Sequence, residues 1–437
     1  MKRIVGILFL LTPLIAQETL DLDACIRRAI QYNPQLRISS RQQQAAQQDV
    51  RASYHLILPT LGVGTNMRRQ TLGPSEYFEY GQTFITNEIT SNYFTGGVEW
   101  RQNIYDGGQW WHNIRLAKSG YQASILDFQF QRQLLVVDVT EKFYSVLKAC
   151  ELLKVYQKAL ENSREQLKKT EELYSVRLVA QKDLFKAQVN EGNDRLAVIQ
   201  QESALKTALA QLNFSMGQSP DQALTLAEGD YHAPEMIDPA EALNLAIQHN
   251  ADYRQLQAQK QTAWLRYKMA RGQRLPSVSS SFSYSRGSSK LERTFSEWNK
   301  WWNTSLNVSM SVPLFDGFVR RTAIQQRKLE FENSDDQISR KKLELQNQID
   351  QLTLTLETYL KMIEINQLNI QSAREDLRLA QEMYRLNSAT LLEILDAQVA
   401  LTRAESNLIT IKYDAKILEA RLGLVTGQLE RQYGTGQ

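Results

Sequence analysis

One corner of the sequence reads Val312-Pro313-Leu314-Phe315-Asp316-Gly317-Phe318-Val319-Arg320-Arg321. Before it, apolar and polar residues alternate as in a β-strand. After it, residues 314–437 contain no proline and repeat with a helical period. A strand therefore turns into a very long helix here. The same corner occurs earlier, as Asn103-Ile104-Tyr105-Asp106-Gly107-Gly108-Gln109, which indicates that one unit of strands and helices is used twice.

Two constant offsets relate the halves of the chain. Ala29-Ile30-Gln31-Tyr32-Asn33 aligns with Ala246-Ile247-Gln248-His249-Asn250 at an offset of 217 residues. Farther on the offset is 210, which matches Asp106-Gly107 with Asp316-Gly317 and Gly217-Gln218 with Gly427-Gln428. The seven-residue difference falls between the Leu-Pro pair and the Asp-Gly corner, in the strand-loop-strand part of each half, where a change in length is tolerated best. The sequence therefore predicts an internal duplication.

The predicted domain organisation follows from this duplication. It comprises a signal peptide at residues 1–16, a first repeat at 17–219, a linker at 220–237, a second repeat at 238–428 and a tail at 429–437. Each repeat begins with one helix of about 35 residues, near 21–57 or 238–274. Two strands follow, near 59–70 and 93–105 in the first repeat and near 276–286 and 303–314 in the second. A long helix pair to 217 or 427 completes each repeat, with breaks at 176–181 and 386–390.

Composition and targeting signals narrow the class of protein. Lys2 and Arg3, the apolar run 4–15 and then Ala16 have the layout of a secretory signal peptide. Beyond it no stretch of about 18 apolar residues exists, so we expect no membrane-spanning helix. The net charge of +3 implies no bulk attraction to nucleic acid. Cys25 and Cys150 lie in helical patterns and are predicted to be small core residues rather than a disulfide.

The long helix of the second repeat carries a heptad seam. Its members are Leu345, Ile349, Leu352, Leu356, Tyr359, Ile363, Ile370, Ala373, Leu377, Ala380 and Tyr384. A second apolar stripe beside it consists of Ile365, Leu368, Leu379 and Leu386. A helix with two stripes needs neighbours on both sides, as in a bundle or a closed tube of helices. An ordinary elongated coiled coil is the alternative for these helices.

Each predicted strand has one apolar face and one small, polar or charged face. The strands are about 9–11 residues long, which is the length of a tilted transmembrane strand, and the alternation is typical of an outer-membrane barrel with a wet lumen. Tryptophans at the strand ends are predicted to be membrane-interface aromatics: Trp100, Trp110, Trp111, Trp298, Trp301 and Trp302. Aromatic residues that cover a soluble sheet are the alternative. Four strands cannot close a barrel, so we expect a symmetric oligomer.

These motifs, with Leu58-Pro59 and Thr390-Leu391-Leu392-Glu393-Ile394-Leu395-Asp396-Ala397-Gln398, resemble those of the TolC family of outer-membrane channels. The resemblance runs from about Leu20 to Gly427. It implies an α+β membrane protein: a homotrimer with four strands per protomer in one twelve-stranded β-barrel, continued by a long α-helical periplasmic tunnel. It also implies an outer-membrane location, surrounding lipid, and work with a periplasmic adaptor (membrane fusion) protein and an inner-membrane pump. The predicted function is passive conduction as the exit duct of a tripartite efflux or type I secretion system.

The resemblance further assigns roles to residues at the helix tips. It places a channel aperture at Glu393, Asp396, Asp183 and Tyr384, where rings of carboxylates would select cations. Ala389 stands where the family has an arginine that ties the closed state, so Arg177 or Lys186 would have to replace it. The adaptor-docking tips are predicted to be Val176, Arg177, Leu178, Val179 and Ala180, and Leu386, Asn387, Ser388 and Ala389. The alternative for Glu393 and Asp396 is a solvated pair on a helix surface.

No pattern in the sequence points to catalysis. The four histidines, His55, His112, His232 and His249, are scattered without a second ligand at metal-binding spacing, and no phosphate loop or nucleophile elbow occurs. We therefore expect no enzyme activity, no metal and no cofactor. Two competing functions remain: a secreted or periplasmic coiled-coil structural or adhesin-like protein, and an exit channel dedicated to protein secretion.

Overall fold

A computed structural model describes residues 19–227, 231–296, 299–386 and 388–429. The predicted signal peptide, Trp298, Asn387 and the tail after Leu429 lie outside these residues. In the first half, the elements are β1 (Thr19–Leu20), α1 (Leu22–Tyr32), α2 (Pro34–Ala52), β2 (Thr60–Leu72), β3 (Ser75–Glu79), β4 (Gln82–Thr86), β5 (Ile89–Asp106), α3 (Gln109–Ser175) and α4 (Gln181–Ser215). In the second, they are β6 (Thr225–Leu226), α5 (Pro239–His249), α6 (Ala251–Gly272), β7 (Ser277–Ser288), α7 (Leu291–Ser296), β8 (Trp302–Ser311), α8 (Val319–Arg385) and α9 (Leu391–Thr426).

The prediction of one continuous helix at the start of each repeat is wrong. The first breaks between α1 and α2 at Asn33, and the second between α5 and α6 at Asn250. Both asparagines have an extended backbone, with ψ of 123° and 119°. Each side-chain oxygen accepts hydrogen bonds from the helix that follows, as an N-cap does: from Gln35 N–H in one case and from Tyr253 N–H in the other.

The same asparagines tie each repeat to the end of its own return helix. Asn33 Nδ2 donates to the carbonyl oxygen of Ser215 at 2.8 Å, and Asn250 Nδ2 donates to that of Val425 at 3.0 Å. These contacts join residues at matching offsets, since 250 − 33 = 217 and 425 − 215 = 210. The duplication in the sequence is therefore also a duplication of side-chain contacts.

Four long strands form an antiparallel sheet in the order β2-β5-β7-β8. One row of cross-strand neighbours runs Leu61, Trp100, Phe282 and Leu306, and the next residues along each strand form a polar row of Thr60, Arg101, Ser281 and Asn307. On the polar face Ser279 and Ser309 join their hydroxyls at 2.8 Å, as Ser283 and Ser305 do at 2.9 Å. The sheet therefore has the two unlike faces that the sequence predicts. Strands β2 and β8 are its unpaired edges.

The loops between the strands differ in the two repeats. In the first, β3 and β4 form an additional hairpin whose turn residues Tyr80 and Gly81 have φ of 51° and 80°. In the second, the short helix α7 takes the place of the hairpin, and Phe295 from this helix lies against Gly96 of β5. No sequence pattern described above predicts the hairpin or α7. The loops 73–88 and 289–301 differ in length and account for part of the change in offset between the repeats.

Both corners are built as helix caps. The carboxylate of Asp106 accepts from Trp110 N–H at 3.0 Å, and that of Asp316 accepts from Arg320 N–H at 3.1 Å. A carboxylate at this place satisfies an unpaired amide and complements the positive end of the helix dipole. Each corner contains two consecutive residues with positive φ, Gly107-Gly108 and Gly317-Phe318. The Asp-Gly pair therefore starts the long helix, directly after β5 in the first repeat and after seven intervening residues beyond the end of β8 in the second.

The described chain divides into two compact units that each draw on both repeats. One consists of residues up to Arg41, Leu126–Arg254 and residues from Arg340 onward; the other consists of Gln42–Ile125 and Gln255–Ser339 and contains the sheet. In the first unit, Cys25, Ile26, Val139, Leu212 and Met216 form a buried core. Both cysteines are free thiols, and burial raises the pKa of the Cys25 thiol to about 11. A second cluster buries Leu356, Ile363, Ile411 and Ala415.

The heptad seam of α8 is the buried side of this helix, at Leu345, Ile349, Leu356 and Ile370. The second stripe is exposed: Ile365, Leu368, Leu379 and Leu386. The single chain thus provides the neighbour for one stripe and leaves the other uncovered. None of the described helices combines the length and the hydrophobicity that crossing a membrane requires.

Candidate functional site

The turn between α3 and α4, residues 176–180, forms the first helix tip. Arg177 N–H donates to the carbonyl oxygen of Tyr174, and Leu178 N–H donates to that of Leu173, both at 2.9 Å. This is the Schellman pattern that ends many helices, and it needs a residue in the left-handed region. Arg177 fills that position with φ of 63°. Val176 and Leu178 are exposed, so the tip presents apolar side chains to solvent.

The turn between α8 and α9 forms the second tip, residues 386–390. Ser388 N–H donates to the carbonyl oxygen of Met383 at 2.8 Å, which repeats the six-residue closure of the first tip. Leu386 and Ser388 are exposed, and Ala389 is half-buried. Asn387, also predicted to be part of this tip, lies outside the described residues. The two tips thus close in the same way at positions 210 residues apart, since 388 − 178 = 210.

Glu393, a predicted aperture residue, caps its own helix. The Thr390 hydroxyl accepts from Glu393 N–H, and the Glu393 carboxylate accepts from the Thr390 backbone at 3.3 Å and from its hydroxyl at 3.0 Å. This reciprocal arrangement is a capping box. Asp396 lies one turn farther along α9, and both side chains are exposed. The capping box holds the Glu393 carboxylate at the first turn of α9, whereas Asp396 takes no part in the box.

Asp183 and Tyr384, the other two predicted aperture residues, lie near each other in space. Asp183 is half-buried in the first turn of α4. Burial, and then the negative charge of Asp183, raise the pKa of the Tyr384 phenol. Asp183 and Tyr384, which come from different repeats, are therefore neighbours in the folded chain. The phenol stays protonated, so it can act as a hydrogen-bond donor to a carboxylate.

A small apolar cluster joins the two tips. Ala187 of α4 packs with Leu391 and Leu395 of α9, and Leu167 and Tyr384 lie against them. Beside it is a groove of about 510 Å³ between α4 and α9. Lys182, Lys186 and Asp396 line this groove together with Phe185, Val189, Leu392 and Val399. The groove is not among the sites predicted from the sequence, although the i, i+4 spacing of the apolar residues Phe185 and Val189 is a signal for it.

The predicted interface tryptophans lie at both ends of the sheet. Trp100 belongs to the apolar face of β5, near its helix end. Trp110 and Trp111 stack at 4.5 Å in the first turn of α3. Trp301 and Trp302 lie at the loop end of β8, and Trp298 is outside the described residues. Among the exposed apolar residues of the edge strands, Leu61 and Leu306 lie in the same cross-strand row as Trp100, with Val63 on the loop side and Val308 on the helix side of this row.

The chain matches the sequence profile of the family described as "Outer membrane efflux protein" over residues 25–218 and 242–428. The two matched segments fall in the two predicted repeats. The chain is 20% identical over 410 residues to the outer membrane protein TolC of Escherichia coli (strain K12), covering 92% of this chain and 80% of the relative. It is 22% identical over 407 residues to the alkaline protease secretion protein AprF of Pseudomonas aeruginosa, covering 92% and 83%.

A solved structure shows the same fold. The outer membrane protein VceC of Vibrio cholerae superposes with a TM-score of 0.79 at 16% sequence identity, covering 93% of this chain and 96% of VceC. The likeness thus extends over nearly the whole of both chains. The chain belongs to the outer membrane efflux protein family, and it is an outer-membrane exit duct for efflux or secretion.

Proposed function

We propose that three copies of this chain form one duct, in which twelve strands close a single barrel in the outer membrane. The observation that carries this proposal is the sheet with two unpaired edges, β2 and β8, and an exposed apolar face. Unpaired strand edges are not tolerated in lipid, because their amides and carbonyls find no partner there. Pairing β2 of one copy with β8 of the next would remove every edge.

The polar face of the sheet would then line the water-filled interior. Its serine pairs and the Glu99–Arg101 ion pair, at 2.6 Å between Arg101 Nε and the carboxylate, are solvated groups that suit a wet lumen. The exposed second stripe of α8 would be covered by the helices of a neighbouring copy. In this arrangement the duct has no energy source of its own, and transport is driven by an inner-membrane pump.

The aperture would form where Glu393 and Asp396 of three copies meet. Six carboxylates in a narrow mouth attract cations and repel one another. Asp183 and Tyr384 would hold the two helix tips together in the closed state, supported by the charge interaction between them.

The exposed Val176, Leu178 and Leu386 at the tips would dock the periplasmic adaptor. Apolar side chains that are uncovered in the free duct fit a partner that binds in part by hydrophobic contact.

The decisive experiment is to purify the protein from outer membranes and to measure conductance in planar bilayers. We expect heat-stable trimers in detergent and discrete single-channel steps. A soluble periplasmic monomer without conductance would contradict the proposal and favour the coiled-coil structural protein instead.

The aperture assignment has its own test. Glu393→Gln with Asp396→Asn should reduce cation selectivity and block by divalent cations, because the charges of the ring are removed. Glutamine keeps the capping box, so the helix start is preserved. Glu161→Gln with Glu165→Gln, two exposed carboxylates one turn apart on α3, is the matched control and should leave selectivity unchanged. Equal selectivity in both double variants would remove Glu393 and Asp396 from the aperture.

A further inference from the structure

The end of α6 and the start of α3, which adjoin the inner strands β7 and β5 in the chain, are strongly basic. Strand register sets Asp106 at the end of β5 opposite Ser277 at the start of β7. The start of α3 and the end of α6 therefore lie side by side, and an added Cβ on Gly107 would come within 2.2 Å of the Gly272 carbonyl oxygen. Farther down, the hydroxyls of Ser119 and Thr262 meet at 3.1 Å. The two helices are thus packed along several turns.

Each of these helices carries a stripe of aromatic and basic residues. On α3 it consists of Trp111, Arg115 and Lys118; on α6 it consists of Trp264, Lys268 and Arg271, followed by Arg274. Both stripes have the 4, 3 spacing of one helix face. Lys268 Nζ lies 4.7 Å from the centre of the Trp264 ring, and Arg271 Cζ lies 5.9 Å from that of Tyr267. The basic collar is defined here as Arg115, Lys268, Arg271 and Arg274.

Arg115 of the α3 stripe and Lys268 of the α6 stripe lie close to the same residue, His112. The positive charges of Arg115 and Lys268 both act on His112, and with the burial of its ring, which has the larger effect, they lower the pKa of this imidazole. Asp106 is the acidic group that acts in the opposite direction there, but its carboxylate caps α3 through Trp110 N–H. In the described part of the chain, no carboxylate lies within ion-pair distance of any of the four collar residues.

The concentration of charge is unusual for this chain. Its net charge is only +3, yet no acidic residue occurs between Asp252 and Glu292, where eight basic residues lie: Arg254, Lys260, Arg266, Lys268, Arg271, Arg274, Arg286 and Lys290. Arg115, Arg271 and Arg274 are exposed, and Lys268 is half-buried. Lys260 pairs with Asp335, and Arg286 donates to the backbone carbonyls of Lys300 and Arg293. The collar cations, by contrast, repel one another, which lowers stability and favours an anionic partner.

We propose that the basic collar binds the headgroups of anionic phospholipids in the periplasmic leaflet of the outer membrane. The inference rests on the proposed function, because the helix ends of the strands must lie at the periplasmic rim of the barrel. Cations beside tryptophans at a membrane surface attract anionic headgroups, while the rings occupy the interface. A neighbouring copy joined at β2 and β8 does not cover the collar, since β5 and β7 are the inner strands of the sheet.

The test compares lipid preference in nanodiscs. Arg115, Lys268, Arg271 and Arg274 are all changed to glutamine, and the matched control changes Lys158, Lys168, Lys169 and Arg195, which are exposed on α3 and α4, to glutamine. Nanodiscs contain phosphatidylethanolamine with or without phosphatidylglycerol or cardiolipin, and native mass spectrometry counts the retained lipids. We expect the native protein and the control to retain anionic lipid about tenfold or more over the zwitterionic lipid, and the collar variant to lose this preference.

Conductance measurements distinguish a failure of the collar proposal from a failure of the proposed function. A collar that faces lipid leaves the cation-to-anion selectivity of the channel unchanged when it is neutralised. A shift towards cations in the collar variant would place these residues in the lumen, and it would overturn the inference, as would an anionic-lipid preference that survives in the collar variant. Trimers that conduct without any lipid preference would overturn the collar alone. A chain that does not insert into any bilayer would overturn the proposed function as well.

Discussion

Arg177 shows how one residue can be strained at an exposed helix tip. The Schellman ending of α3 requires a left-handed backbone at this position, and a residue with a Cβ pays roughly 1–2 kcal/mol for it. Arg177→Gly should therefore raise the free energy of unfolding by about 1 kcal/mol, after the greater freedom of glycine in the unfolded chain is included.

Arg177→Ala is the control, because it removes the side chain but keeps the Cβ. It should leave stability near that of the native protein, and thermal unfolding in detergent measures both variants. An equal gain from alanine and glycine would show that the guanidinium, and not the backbone, is the destabilising group.

Tyr144 makes stability depend on pH in the alkaline range. Burial, and then the charge of Glu419, raise the pKa of this phenol above its ordinary value of 10.0. The unfolded chain therefore loses the proton first, and the free energy of unfolding falls as pH rises above about 10. Tyr144→Phe should make this fall shallower in urea unfolding between pH 9 and about 11. Tyr174→Phe, at an exposed position, is the control, and equal slopes in both variants would contradict the argument.

The corner between strand and helix is the element that the chain uses twice. Different structural constraints act on the two glycines of the corner in the first repeat. Both have positive φ, 75° at Gly107 and 81° at Gly108, but only Gly107 is pressed against another backbone, that of Gly272. The second repeat has Phe318 in place of Gly108, with φ of 69°.

This difference predicts unequal effects of one added methyl group. Gly108→Ala should cost roughly 1–2 kcal/mol, since only the backbone conformation opposes it. Gly107→Ala adds a clash with the Gly272 carbonyl and should cost about 3–5 kcal/mol, so we expect few heat-stable trimers. The yield and melting temperature of trimers compare the two variants. A milder effect at Gly107 than at Gly108 would mean that α6 moves away at no cost.

The elements also show where sequence reasoning succeeds and where it fails. The proline-free stretches and the heptad seam predict α8, and Leu345 and Ile349 are buried as expected. The breaks at Asn33 and Asn250 were missed because apolar periodicity continues across them, while the asparagines act through carbonyls about 180 residues away. The β3–β4 hairpin was missed because Tyr80-Gly81 is not among the strong turn signals such as Asn-Gly.

At the candidate site, the sequence alone could suggest single residues but not their neighbours. The proximity of Asp183 to Tyr384 depends on how α4 packs against the second tip, which no local pattern encodes. The capping role of Glu393 was readable from Thr390-Leu391-Leu392-Glu393, the S/T-x-x-E pattern, although the aperture role came from the family resemblance alone. The roles in the aperture and at the docking tips stay predictions.

On the scale of the whole molecule, the open edges of the sheet predict contacts between copies. Cys25 and Cys150 are first replaced by alanine, and Val63→Cys on β2 is combined in turn with cysteine at Leu306, Val308 or Met310 on β8. All four strand positions are exposed in the single chain. We expect at least one pair to form a disulfide between neighbouring copies, seen as dimers and trimers in denaturing gels without reductant. Val63→Cys alone is the control, and monomers from every pair would contradict edge-to-edge closure.

The asparagine ties have a consequence for connectivity. In each repeat, contacts join residues near its beginning to residues near its end. In the first, Asn33 binds Ser215 and Thr19 pairs with Thr225, and in the second Asn250 binds Val425. The linker between the repeats thus connects two segments whose ends are already held together by noncovalent contacts. A gene cut within residues 220–237 would leave two polypeptides, each with its ends fastened together, and their shared sheet would bring them back into one subunit. In the proposed trimer, one duct would then consist of six such half-length polypeptides.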